Sequence, residues 1–149
     1  MLKLNCKTIK MDLNFFGGEP AFGAVFVLGS TTVSEMTEID GPGLSRDSID
    51  MSSHDTSDGY MEFKPQKLND PGELSIRGNF DESNASEIKS LVETTTVLTG
   101  TLDYPTSPST TRFTSSMFVT NYEPSAPYDG KIEYSMTVKL TGKPELGQI

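Results

Sequence analysis

Two stretches of the chain alternate apolar and polar residues with a period of two. In residues 131–141, Ile132, Tyr134, Met136, Val138 and Leu140 alternate with Lys131, Glu133, Ser135, Thr137 and Lys139. In residues 72–80, Leu74, Ile76 and Phe80 oppose Glu73, Ser75, Arg77 and Asn79. That period puts one set on each face of a half-buried β-strand. Weaker patterns predict further strands over residues 30–39, 46–52, 94–104 and 111–123. The separators are turn clusters: Gly41-Pro42-Gly43, Asn69-Asp70-Pro71-Gly72, the Ser/Thr/Pro run 105–110 and Asp129-Gly130. Residues 142–149 carry Gly and Pro and are expected to fray. One segment has helical spacing instead. Over residues 81–93, Ala85, Ile88, Leu91 and Val92 share a face, with Asn84 as the expected N-cap and Glu87 completing a capping box.

The start of the chain is patterned less clearly. Residues 2–13 alternate loosely, Phe15-Phe16-Gly17-Gly18-Glu19-Pro20 breaks the pattern, and an apolar run follows over residues 22–28. Asp12, Asn14, Glu19 and Pro20 interrupt any hydrophobic signal region, and the run is too short to span a bilayer, so neither a signal peptide nor a membrane span is expected. It reads as a buried strand or as an arm laid on a neighbouring subunit. Many strands with one short helix predict a mainly β fold, a β-sandwich or partly open β-barrel. At 149 residues the chain has the length of a single domain, 1–149, with 1–29 as an N-terminal arm.

Charge and cysteine content narrow the function. A formal net charge of −9 argues against gripping nucleic acid, which needs Lys and Arg to neutralise phosphates. The single cysteine, Cys6, rules out an intrachain disulfide and a cysteine-rich zinc site.

The most specific stretch is residues 39–81. It contains GPGLSRDSIDMSSHDTSDGYMEF, then an Asp-Pro-Gly turn, then GELSIRGNFD. This order resembles the major tail tube proteins of long-tailed bacteriophages: an Asp-x-Ser-Ser-His-Asp segment at residues 50–55, an aromatic-led strand at 60–63, a turn at 70–72, a strand ending in Gly-Asn-Phe and a short helix. The likeness extends more weakly over residues 30–143. It implies a tail-tube-like fold and a structural virion protein whose subunits form hexameric rings, stacked into a tube through which double-stranded DNA leaves without specific binding. The implied partners are the protein itself, a tape measure protein, a tail terminator and baseplate proteins, with no cofactor. The implied location is the virion tail, after assembly in the bacterial host cytoplasm.

Within that picture residues 41–59 form a polar, Asp-rich segment with too little apolar surface to offset its own ordering. It is expected to be an inter-ring assembly loop, mobile in the free subunit, carrying Leu44, Arg46, Asp47, Asp50, His54, Asp55 and Asp58. The polar faces of the amphipathic strands are expected to line the channel, with Glu62, Glu73 and Arg77 facing the lumen and Arg77 balanced by a nearby carboxylate.

Other chemistry is weaker. His54 among Asp47, Asp50, Asp55 and Asp58 matches neither zinc spacing nor the EF-hand loop, so no metal is expected. The sequence has no G-x-S-x-G elbow, P-loop or dinucleotide fingerprint, so the chain is not expected to be an enzyme. The alternative is an Ig-like β-sandwich binding module, such as a capsid decoration or adhesin domain.

Overall fold

The computed structural model describes residues 21–55 and 58–149. The expected strand over residues 2–13, the break at 15–20 and Cys6 lie outside them. Ten elements follow in order: β1 (Val25–Leu28), β2 (Thr31–Val33), β3 (Met36–Asp40), β4 (Ser48–Asp50), β5 (Phe63–Pro65), β6 (Glu73–Asn79), α1 (Glu82–Glu93), β7 (Leu98–Tyr104), β8 (Thr111–Ser125) and β9 (Glu133–Gln148). Among the described residues the fold is mainly β with one helix.

Seven strands make one antiparallel sheet in the order β2-β1-β7-β8-β9-β6-β3. Its two edges, β2 and β3, are consecutive in the chain and separated only by Ser34 and Glu35. The sheet must therefore curl until its edges meet at one corner, and it stays open elsewhere. The single strand expected over residues 30–39 is split at that corner, where Glu35 takes a positive φ of 57°. Tyr134 Oη and Asn84 Nδ2 both donate to Ser34 O, at 3.1 and 3.2 Å, and tie the corner to β9 and α1. At the other end of β3, Tyr104 Oη donates to Gly41 O at 3.1 Å.

The concave face holds the core. Phe26 and Leu28 of β1, Leu74 and Ile76 of β6, Leu102 of β7, Phe113, Met117 and Val119 of β8, and Tyr134, Met136, Val138 and Leu140 of β9 are all buried, joined by Val33 and Ile88. The alternation read in β6 and β9 thus sorts the two faces correctly, except at the strand ends. Phe80 follows β6 and is 37% exposed, and Ile132 precedes β9 and is 49% exposed. Gly78 takes the inward place between Ile76 and Phe80, where a Cβ would run into Glu35 O and lie 2.8 Å from the Tyr134 ring. In β8 an extra residue between Val119 and Asn121 shifts the register. The inward face then passes to Tyr122, whose ring lies 5.8 Å from that of Tyr134.

α1 covers this face, with Ile88 fully buried, Leu91 half-buried and Val92 38% exposed. Its N-cap is Asp81, not Asn84. Asn84 falls inside the first turns, on the face of Ile88 one turn later, and is itself buried where it reaches Ser34. Burial against the sheet corner outweighs its capping preference.

Residues 142–149 do not fray. They extend β9 against the start of β8, from Thr114↔Glu145 to Thr111↔Gln148. Between Thr141↔Ser116 and Glu145↔Thr114, the three residues 142–144 oppose Ser115 alone, and Gly142 takes the positive φ this bulge needs.

Candidate functional site

Between β3 and β6 the chain leaves the sheet as an arm. β4 and β5 pair antiparallel, with Ser48↔Pro65, Ile49↔Lys64 and Asp50↔Phe63, and form a two-stranded sheet of their own. The arm is rooted by the Ser45↔Asp70 bridge, and Gly72, at φ 80°, lets its backbone pass against Gly43 O where a Cβ would not fit. Gln66 N–H donates to Asp47 O at 2.8 Å, Met51 N–H to Glu62 O at 2.7 Å, and Glu62 N–H to Ser52 Oγ at 2.9 Å. Nearer the tip, Ser52 N–H donates to an Asp50 carboxylate oxygen at 2.8 Å, and hydrogen bonding from the Ser52 side chain, helped by this backbone bond, holds the Asp50 carboxyl below its ordinary range. The expected short strand in residues 46–52 is β4, whereas the aromatic-led strand expected at residues 60–63 begins only at Phe63.

Every described residue from 43 to 70 is exposed, including seven large apolar side chains: Leu44, Ile49, Met51, Tyr60, Met61, Phe63 and Leu68. A lone two-stranded ribbon is marginal in water, and such a set of uncovered apolar groups marks a contact surface. The structure therefore brings Leu44, Arg46, Asp47, Asp50, His54, Asp55 and Asp58 onto one protruding element. No three His, Cys, Asp or Glu side chains among the described residues form a metal-holding group.

Glu62 lies on this arm, while Glu73 and Arg77 lie on the convex face of β6. Ion pairs thread that face: Arg77 to Glu38 at 3.5 Å, Lys139 to Glu73 at 3.5 Å and to Asp70 at 3.8 Å, and Lys131 to Glu133 at 3.3 Å. Farther round the sheet, Arg112 grips Asp103 through two hydrogen bonds of 2.7 Å across β7 and β8. The Arg112 hydrogen bonds hold the Asp103 carboxyl below its ordinary range, against the opposing effect of burial. Burial raises the hydroxyls of Tyr104, Tyr122 and Tyr134, so Tyr104 and Tyr134 stay protonated donors at neutral pH.

A feature the sequence reading missed lies at the arm's root. A groove of about 610 Å³ runs between Leu44, Ser45 and Arg46 on one side and the 142–144 bulge on the other, with Asn69 and Pro71 in its wall. The signal was Gly142 close to Pro144: glycine inside a strand marks a bulge as readily as an end.

A curled, open antiparallel sheet with one covering helix and a protruding two-stranded arm is the tail-tube fold. The chain superposes on a chain of the virion of a native gene transfer agent particle with a TM-score of 0.71 at 12% identity, covering 87% of this chain and 99% of that one. It superposes on a chain of the sheath/tube terminator of the extracellular contractile injection system PVC, in its extended state, with a TM-score of 0.69 at 10% identity, covering 89% and 99%. A third match is the SPP1 tail tube, with a TM-score of 0.59 at 9% identity, covering 87% and 80%. No protein-family model matches the sequence, and no curated protein matches it. The likeness is one of fold.

Proposed function

We propose that this protein is the structural subunit of a phage-type tail tube, assembling into hexameric rings that stack into a conduit for double-stranded DNA. The observation that carries this reading is the combination of a tail-tube fold with an arm whose apolar side chains find no cover within the subunit. A ring needs a heterologous contact that closes, and a tube needs a second that propagates along the axis. The free edges of β2 and β3 suit the first, since an unpaired strand edge recruits another chain. The arm suits the second, ordering between rings. A tape measure protein, a terminator and baseplate proteins are the further partners of such a tube, which would be built in the host cytoplasm and reside in the virion tail.

In the proposed tube the convex face of β6 turns to the channel with Glu73 and Arg77 on it, and Glu62 reaches the channel from the arm. The pairing of Arg77 with Glu38 and of Lys139 with Glu73 leaves few free cations to hold phosphates by counterion release. DNA then slides rather than binds, and the role is structural, without catalysis. Electron microscopy of the purified protein tests the reading: regular hollow tubes or stacked rings are the expected result, and a persistent monomer across protein and salt concentration would refute it.

A further inference from the structure

The tip of the arm and the lining of the groove at its root carry different chemistry. Toward its tip lie Asp50, Asp55 and Asp58 beside the exposed Met51, Tyr60 and Met61. At its root, the groove is walled by apolar Leu44, Pro71 and Pro144 and by two cations, Arg46 and Lys143, and no carboxylate among the described residues lines it. Arg46 Nε donates to the neutral Asn69 Oδ1, so its charge is not cancelled. Neither cation has a carboxylate within ion-pair distance among the described residues, in contrast to Arg77, Lys89, Arg112, Lys131 and Lys139. The groove is thus a cationic, partly apolar slot of a size that takes a few side chains.

We infer that the acidic, apolar arm tip of one copy docks in the root groove of another, with Asp55 and Asp58 meeting Arg46 and Lys143 while Tyr60 and Met61 fill the space beside Leu44 and Pro144. The occupant is a second copy of this chain because the complementary charge and the complementary apolar surface are both supplied by the chain itself. Tip and groove are different surfaces, so in the stacked tube the contact is heterologous and runs from one ring to the next. Opposite charges fix its register and partner, and the apolar side chains supply the area removed from water. The inference rests on the proposed self-assembly and adds to it the residues that receive the arm.

A charge-reversal cycle read by sedimentation velocity and electron microscopy tests it. R46E/K143E, with K143E alone as a variant that leaves the Arg46 contact to Asn69 in place, is expected to raise the concentration needed for assembly about tenfold or more. D55K/D58K is expected to do the same, and combining it with R46E/K143E is expected to restore assembly, since each tip again meets a groove of opposite charge. Thermal unfolding of each variant checks that the subunit still folds. Tubes formed by folded R46E/K143E at the wild-type concentration would overturn the docking and leave the tube reading standing. Salt-sensitive oligomers that follow the cycle but are not tubes would support the docking and refute the tube. A wild-type monomer under all conditions would overturn both.

Discussion

Single positions carry much of the geometry. Gly78 packs its backbone against Glu35 O and the Tyr134 ring, so Gly78→Ala must push the sheet corner apart. A loss of about 1–3 kcal/mol in urea unfolding is expected, as for other overpacked sites. The Asp103–Arg112 pair makes a pH-dependent contribution. Because the folded-state pKa of Asp103 is depressed, the stability it adds is present above the ordinary carboxylate pKa and is lost as pH falls through the lower, folded value. Asp103→Asn should therefore cost about 1 kcal/mol or less at neutral pH, given the partial exposure of the pair, and should flatten the acid limb of the stability profile. Equal acid sensitivity in wild type and variant would show that the pair does not set that limb.

The elements differ sharply in how firmly they are held. In α1 the burden falls on Ile88, which is fully buried, so Ile88→Ala should cost about 2–5 kcal/mol. Leu91, only half-buried, should cost clearly less on truncation, and a reversed order would mean the helix sits rotated on the sheet. The arm is the opposite case, with every described side chain exposed and its order resting on ribbon hydrogen bonds and a few exposed side-chain ones. Hydrogen exchange on the isolated subunit should show amides of β4 and β5 exchanging much faster than those of β6 and β9, with protection appearing on assembly. Slow exchange of the arm in the free subunit would contradict its proposed role.

At the scale of the whole molecule, the open curl of the sheet and the charge of its convex face set what a tube built from it can do. If the face of β6 lines a channel with Glu62 at its margin, replacing Glu62 and Glu73 together by Lys should leave tubes able to form. It should also slow DNA passage at low salt, with recovery as salt screens the added charges. Unchanged passage at low salt would remove both residues from the lumen.

The local patterns legible in the sequence were those with a strict period and a buried face. β6 and β9 read directly because Leu74, Ile76, Tyr134, Met136, Val138 and Leu140 all meet one core, and the helix read from the spacing of Ile88 and Leu91. The polar segment over residues 41–59 could be singled out because it has too little apolar surface to offset its own ordering. What only the tertiary structure decided depended on contacts between distant parts of the chain. Asn84 became a buried link to Ser34, fifty residues earlier, rather than a cap, because the corner joining β2 to β3 closes over it. Residues 142–148 became strand rather than tail because the start of β8 offers backbone partners that no local propensity encodes. The root groove exists only where the bulge at Gly142 faces Leu44 and Arg46, nearly a hundred residues apart in sequence. Periodicity records which face of an element is buried, whereas a pocket between elements depends on which of them the fold brings together.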